Sequence, residues 1–143
     1  MVRTEILMIK MKETEESLKL VEENMPKDLK SFLKLGLVKD GIYKRIEFCI
    51  QNILDICAVI NSDLKLGVPS NEDNIVENLV KKGILSGKTG EIVKGFKGFR
   101  NFLVHRYGGI DDSIAFESIV KGLKDFSKVL KEIKEFLKSP PEK

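Results

Sequence analysis

Histidine occurs once in these 143 residues, at position 105, and cysteine twice, at positions 49 and 57. One imidazole and two thiols are too few to build a His/Cys metal centre, although scattered carboxylates leave room for a weakly bound divalent ion. The cysteines lie eight residues apart in an apolar-periodic segment. Along a helix that is about 12 Å, beyond the reach of a disulfide, so both read as small buried hydrophobes. No apolar run exceeds the five residues Ile56 to Ile60, against the roughly 20 that cross a bilayer. The start, Met1-Val2-Arg3-Thr4-Glu5, lacks the charged-then-apolar layout of a secretory signal. These absences predict a cytoplasmic protein with no membrane contact. A net charge of +3 permits an anionic partner without demanding one. Clean polar–apolar alternation is also missing, so no strand is expected. Glutamine is limited to Gln51 amid many lysines, a composition that hints at a thermophilic source.

What remains is helical pattern from end to end. Apolar residues make up 42% and charged residues 33%, the balance of a globular chain. The length fits a single domain, residues 1–139, with a solvated tail at 140–143. A first helix is expected from Arg3 to Asn24, with Leu7, Met11, Leu18 and Val21 inward, stopped by Met25-Pro26. A short helical piece from Asp28 to Leu35 gives way at Gly36. Tyr43, Ile46, Ile50, Ile53, Cys57, Ile60 and Leu64 then recur at spacings of three and four, a packing seam on a central helix. Ser70 with Asp73 opens a short helix that Gly83 closes. Ser86-Gly87-Lys88-Thr89-Gly90 reads as a loop, and a fourth main-chain segment of helix runs from Glu91 to Tyr107 before Gly108-Gly109. Asp111 or Asp112 caps the last helix, striped by Phe116, Ile119, Leu123, Phe126, Leu130, Ile133 and Leu137. The expected class is all-α: an up-and-down four-helix bundle with an additional short helix.

The chemistry-bearing residues concentrate in Arg100-Asn101-Phe102-Leu103-Val104-His105-Arg106-Tyr107. This segment holds the one histidine, two of four arginines and one of two tyrosines. On a helix, Ile92, Phe96, Phe99 and Leu103 gather on one arc, with Phe102 at its edge, and anchor it. Arg100, Asn101, Val104 and His105 spread over the other side, with no obvious partner inside their own chain. A lone histidine near a helix end is most often a surface or core residue favoured by the dipole. The neighbouring arginine changes the weighing. Guanidinium offers fixed charge and planar donors to phosphate, while imidazole exchanges a proton near neutrality. RNA phosphodiester cleavage needs little beyond that pair. Arg106 either contacts phosphate or is solvated, and Gly95 and Gly98 either allow close helix approach or are neutral. Tyr43 reads as a seam residue, Glu47 and Asp55 as surface or interface groups.

The pattern Arg, four residues, His, one residue, Tyr resembles the HEPN superfamily, above all the HepT-type toxins paired with minimal nucleotidyltransferase antitoxins. The similarity extends to Tyr43 to Glu47, Gln51 to Ile56, Gly67 to Ser70 and Leu79 to Ile84. It implies a metal-independent endoribonuclease of a type VII toxin–antitoxin pair, without cofactor. Arg100 and His105 would be catalytic and would meet across a homodimer interface, with Asn101 positioning the site. It also implies that the antitoxin transfers AMP to Tyr107 and so silences cleavage. Two other readings stay open. One is a non-catalytic partner that binds a nucleotidyltransferase and nucleotide or nucleic acid, and the other is an inert helical assembly module.

Overall fold

The computed structural model describes residues 2–105 and 109–138. Among these residues six helices follow in order: α1 (Thr4–Asn24), α2 (Leu29–Leu33), α3 (Leu37–Asp63), α4 (Glu72–Lys81), α5 (Gly87–Val104) and α6 (Asp112–Lys138). No strand occurs among the described residues, and the architecture is the all-α bundle expected. The long helices α1, α3, α5 and α6 make up the bundle. α4 packs on α3 and α5, and the five-residue α2 packs on α6. None of the helices is long and apolar enough to cross a membrane.

α3 is central because its apolar surface is broader than one seam. Ile46, Ile50, Ile53, Cys57, Ile60 and Leu64 are buried as their spacing predicts, and Cys49, Leu54 and Ile56 are buried beside them. It therefore touches α1, α4 and α5 together. Against α1 the residues are small: Thr14 and Ser17 face Cys49, whose Sγ donates to the Thr14 carbonyl at 3.7 Å. Burial pushes both thiols up to about 12, so neither is a thiolate at neutral pH. The opposite wall stacks Phe96 of α5 on Phe126 of α6, with ring centroids 4.2 Å apart.

Three helix starts differ from the sequence expectation. α3 begins at Leu37, straight after Gly36 at φ +60°, and not near Tyr43. Its first turn carries exposed Leu37 and Val38, so no apolar periodicity announces it. α4 is capped by Asn71, not Ser70: the Asn71 side chain accepts from the Asn74 N–H at 2.8 Å, and Asn74 Oδ1 accepts from the Ser70 N–H at 3.2 Å. The expected loop 86–90 is instead the cap and first turn of α5. Ser86 Oγ accepts from the Thr89 N–H at 3.1 Å. Glu132 of α6 secures this start, accepting from the Ser86 N–H, Ser86 Oγ and Thr89 Oγ1 at 2.8, 3.0 and 2.7 Å. Tertiary contacts thus offset the low helix propensity of Gly87 and Gly90.

Other signals held. Gly83, at φ +82°, closes α4 with paired bonds from Ile84 N–H to Leu79 O and Gly83 N–H to Val80 O, both 3.0 Å. Asp111 caps α6, accepting from the Ser113 and Ile114 N–H groups at 3.0 and 3.2 Å. Tyr43 is buried, and its hydroxyl donates to Asp112 at 2.5 Å beside the Lys39–Asp112 ion pair at 2.7 Å.

Candidate functional site

The last turns of α5 carry Arg100 and Asn101, and His105 caps its C-terminus. The helix is anchored as the periodicity requires. Phe96 and Leu103 are buried, Ile92, Phe99 and Phe102 are half-buried, and Val93, absent from the expected arc, is fully buried. His105 lies one residue past the helix at φ −94°, ψ 60°. Its N–H still donates to the Asn101 carbonyl at 2.9 Å. Its side chain is exposed, so the imidazole is not packed within the interior of its own chain. Arg106 and Tyr107 lie outside the described residues, but α5 itself stops at Val104 with His105 already non-helical, short of the end at Tyr107 that the sequence led one to expect.

Arg100 corrects one expectation. Its guanidinium is not left without partners inside its own chain. Nη1 donates to Gln51 Oε1 of α3 and to Glu72 Oε2 of α4, both at 3.1 Å, and Nη2 donates to Glu72 Oε1 at 2.9 Å. Nε and Nη2 also reach Asn101 Oδ1 at 3.3 and 3.0 Å. Asn101 is therefore a direct steering contact of Arg100. Gln51 extends the chain of bonds: its Nε2 donates to Asp55 Oδ1 at 2.9 Å, and Asp55 pairs with Lys10 at 3.6 Å. Glu47 takes no part and pairs with Lys44 on the surface.

The Glu72 pair is the end of a ladder. Lys97 meets Asp73 at 2.8 Å, and Lys94 meets Glu77 at 3.3 Å, so α4 supplies acids and α5 bases along one seam. The Glu77 hydrogen bond holds the Lys94 ammonium above its ordinary range. Sequence reading missed Glu72 and Gln51. Acids at 72, 73 and 77 against bases at 94, 97 and 100 were the available signal, legible once α4 and α5 are taken as a packed pair.

A cavity of about 380 Å³ opens between α3, α5 and α6, walled by Ile50, Phe96, Phe99 and Phe126 among others. Lys88, Glu91, Lys121 and Asp125 also line it, and it includes neither Arg100 nor His105. Among the described residues, no group of three His, Cys, Asp or Glu side chains is placed to hold a metal ion. The available chemistry is that of guanidinium, carboxamide and imidazole at one exposed helix end.

Comparison with known proteins matches this arrangement of helices. The family described as Ribonuclease HepT-like matches residues 14–133. A protein of Archaeoglobus fulgidus named "Putative RNase" is 31% identical over 87 residues, covering 61% of this chain and 65% of its own length. Its match to this chain therefore falls short of two thirds of that relative. Among solved structures, a tri-AMPylated Shewanella oneidensis HEPN toxin in complex with MNT antitoxin superposes with a TM-score of 0.81 at 22% identity. The match covers 91% of this chain and 97% of that one. A cytosolic protein of unknown function, YutE from Bacillus subtilis, superposes equally well, with a TM-score of 0.81 at 19% identity over 99% and 96% of the two chains. At such identities the superpositions establish the shared fold.

Proposed function

Since this chain belongs to the Ribonuclease HepT-like family, we propose that it is an endoribonuclease toxin acting through Arg100 and His105 in the cytoplasm. The observation that carries the reading is that both groups stand at the end of α5. An exposed imidazole stands five residues from a guanidinium that Asn101 steers through two hydrogen bonds. In the reaction, neutral His105 takes the proton of a ribose 2′-OH. The 2′ oxygen bonds to phosphorus, the bond from phosphorus to the 5′ oxygen breaks, and the leaving oxygen takes up a proton. The products are a 2′,3′-cyclic phosphate and a 5′-OH end, and Arg100 neutralises charge on the phosphorane.

The site is composite in this reading. On an ideal helix, positions 100 and 105 are about 140° apart around the axis. Arg100 is directed toward α3 and α4. A twofold-related copy would set its own His105 opposite this Arg100, closing a groove from two chains. Silencing would fall to a nucleotidyltransferase antitoxin. Tyr107 oxygen would bond to the α-phosphorus of ATP as pyrophosphate leaves, placing a fixed negative charge two residues from His105. The AMPylated state of the Shewanella toxin in its antitoxin complex supports that step.

The test is cleavage of RNA by purified protein in the presence of a chelator. His105→Ala and Arg100→Ala should each lower kcat/KM by about 100-fold or more, with a 2′,3′-cyclic phosphate on the wild-type product. Undiminished cleavage by His105→Ala would overturn the proposal. Intact mass after co-expression with a nucleotidyltransferase reads the second half: AMP adducts on the wild type that vanish in Tyr107→Phe.

A further inference from the structure

A guanidinium has five N–H donors. In Arg100 all five are engaged within the chain: one to Gln51, two to Glu72 and two converging on Asn101. The Glu72 contact is two-pronged, the same fork geometry by which arginine grips phosphate. Carboxylate and phosphate would therefore compete for one edge of one side chain. We infer that Glu72 is an intrachain stand-in for the substrate phosphate, a carboxylate latch that Arg100 must exchange for RNA before cleavage. The inference rests on the ribonuclease reading of Arg100.

The surroundings fit a side-chain latch better than a moving helix. α4 is held by features that do not involve Glu72. Asn71 caps it, Asn78 donates to Asn61 at 2.9 Å, and Gly83 closes it. Lys97 and Lys94 tie its flank to α5 through Asp73 and Glu77. Glu72 is the first residue of the helix, and its side chain is 39% exposed against 16% for Arg100. It is the more solvent-accessible partner. On release its carboxylate enters water while staying beside the positive end of the α4 dipole, which keeps the open state accessible. The remaining Asn101 bonds keep the guanidinium oriented as the anions exchange. With the latch closed, the three bases of this seam are matched by three acids. The face then exerts little pull on polyanions at large, and only a phosphate held by further contacts displaces Glu72.

The test uses full-length Glu72→Gln and Glu72→Ala, each checked for folding by circular dichroism. Affinity is read by fluorescence anisotropy on a 2′-O-methylated RNA, which cannot be cleaved, and kinetics on the unmodified RNA. Both variants should bind about fivefold more tightly than wild type, with KM lowered likewise and kcat within about twofold. The gain should vanish in an Arg100→Ala background. Tighter Arg100-dependent binding without cleavage by any form would overturn the ribonuclease reading, and with it the role before cleavage, while keeping Glu72 as a competitor of RNA phosphate for Arg100. Unchanged or weaker binding, or a fall in kcat at constant KM, would overturn the latch and make Glu72 a support for Arg100. Glu72→Gln keeps the shape of the native side chain, so it decides the matter should Glu72→Ala fail to fold.

Discussion

Helix α5 contains glycines whose environments predict opposite outcomes for the same substitution. A Cβ built on Gly90 would stand 2.6 Å from Val80 Cγ2 and 3.4 Å from Val76 Cγ1, both on α4. Carbon atoms prefer separations of about 3.5–4.0 Å, so α4 and α5 must part by close to 1 Å or Val80 must leave its rotamer. Valine is stiff at χ1, and overpacking of this kind costs about 1–3 kcal/mol. The helix-propensity gain of alanine returns about 1 kcal/mol, leaving Gly90→Ala destabilised by up to about 2 kcal/mol. At Gly95 and Gly98 an added Cβ meets nothing within 4 Å. There the propensity gain stands alone, about 0.5–1 kcal/mol of stabilisation each. Thermal melts followed by circular dichroism resolve these shifts, since 1 kcal/mol corresponds to about 3 °C in a chain of this size. The expected order is Gly90→Ala below wild type and the other two above it. If all three moved in the same direction, the close approach of α4 to α5 at Gly90 would be refuted.

Two further outcomes concern the scaffold. Burial raises the Glu132 carboxyl, but the hydrogen bonds from Ser86 and Thr89 outweigh it and hold the group below its ordinary range. A lowered folded value means that its contribution is fully present above about pH 4.3 and is lost as pH falls through the folded value. The urea midpoint should therefore drop between pH 5 and pH 3, and Glu132→Gln should flatten that drop; an equal drop in the variant would refute this. Phe126→Ala removes a ring that is 1% exposed and stacked on Phe96. It should cost about 3–5 kcal/mol in urea unfolding, a large share of a typical total of about 5–15 kcal/mol.

The all-α bundle, the central α3 and the α6 stripe were legible because burial follows helical period, and period is written locally. Ile46 to Leu64 shows the whole seam without reference to any neighbour. Gly83 was legible for a similar reason, since a left-handed residue ends a helix wherever it stands. The glycine-rich start of α5 was not legible. Its helical state depends on Glu132, which lies 46 residues from Ser86 in sequence. The beginning of α3 was missed because exposed residues carry no phase.

The sequence by itself determined where the candidate groups concentrate: the one imidazole and a motif guanidinium, five residues apart at the end of one helix. Only the tertiary structure decided what that guanidinium holds. Gln51 and Glu72 come to Arg100 from α3 and α4, 49 and 28 residues away. Periodicity describes which face of a helix turns inward. It carries no record of which distant carboxylate meets that face, because the meeting is set by how whole helices pack.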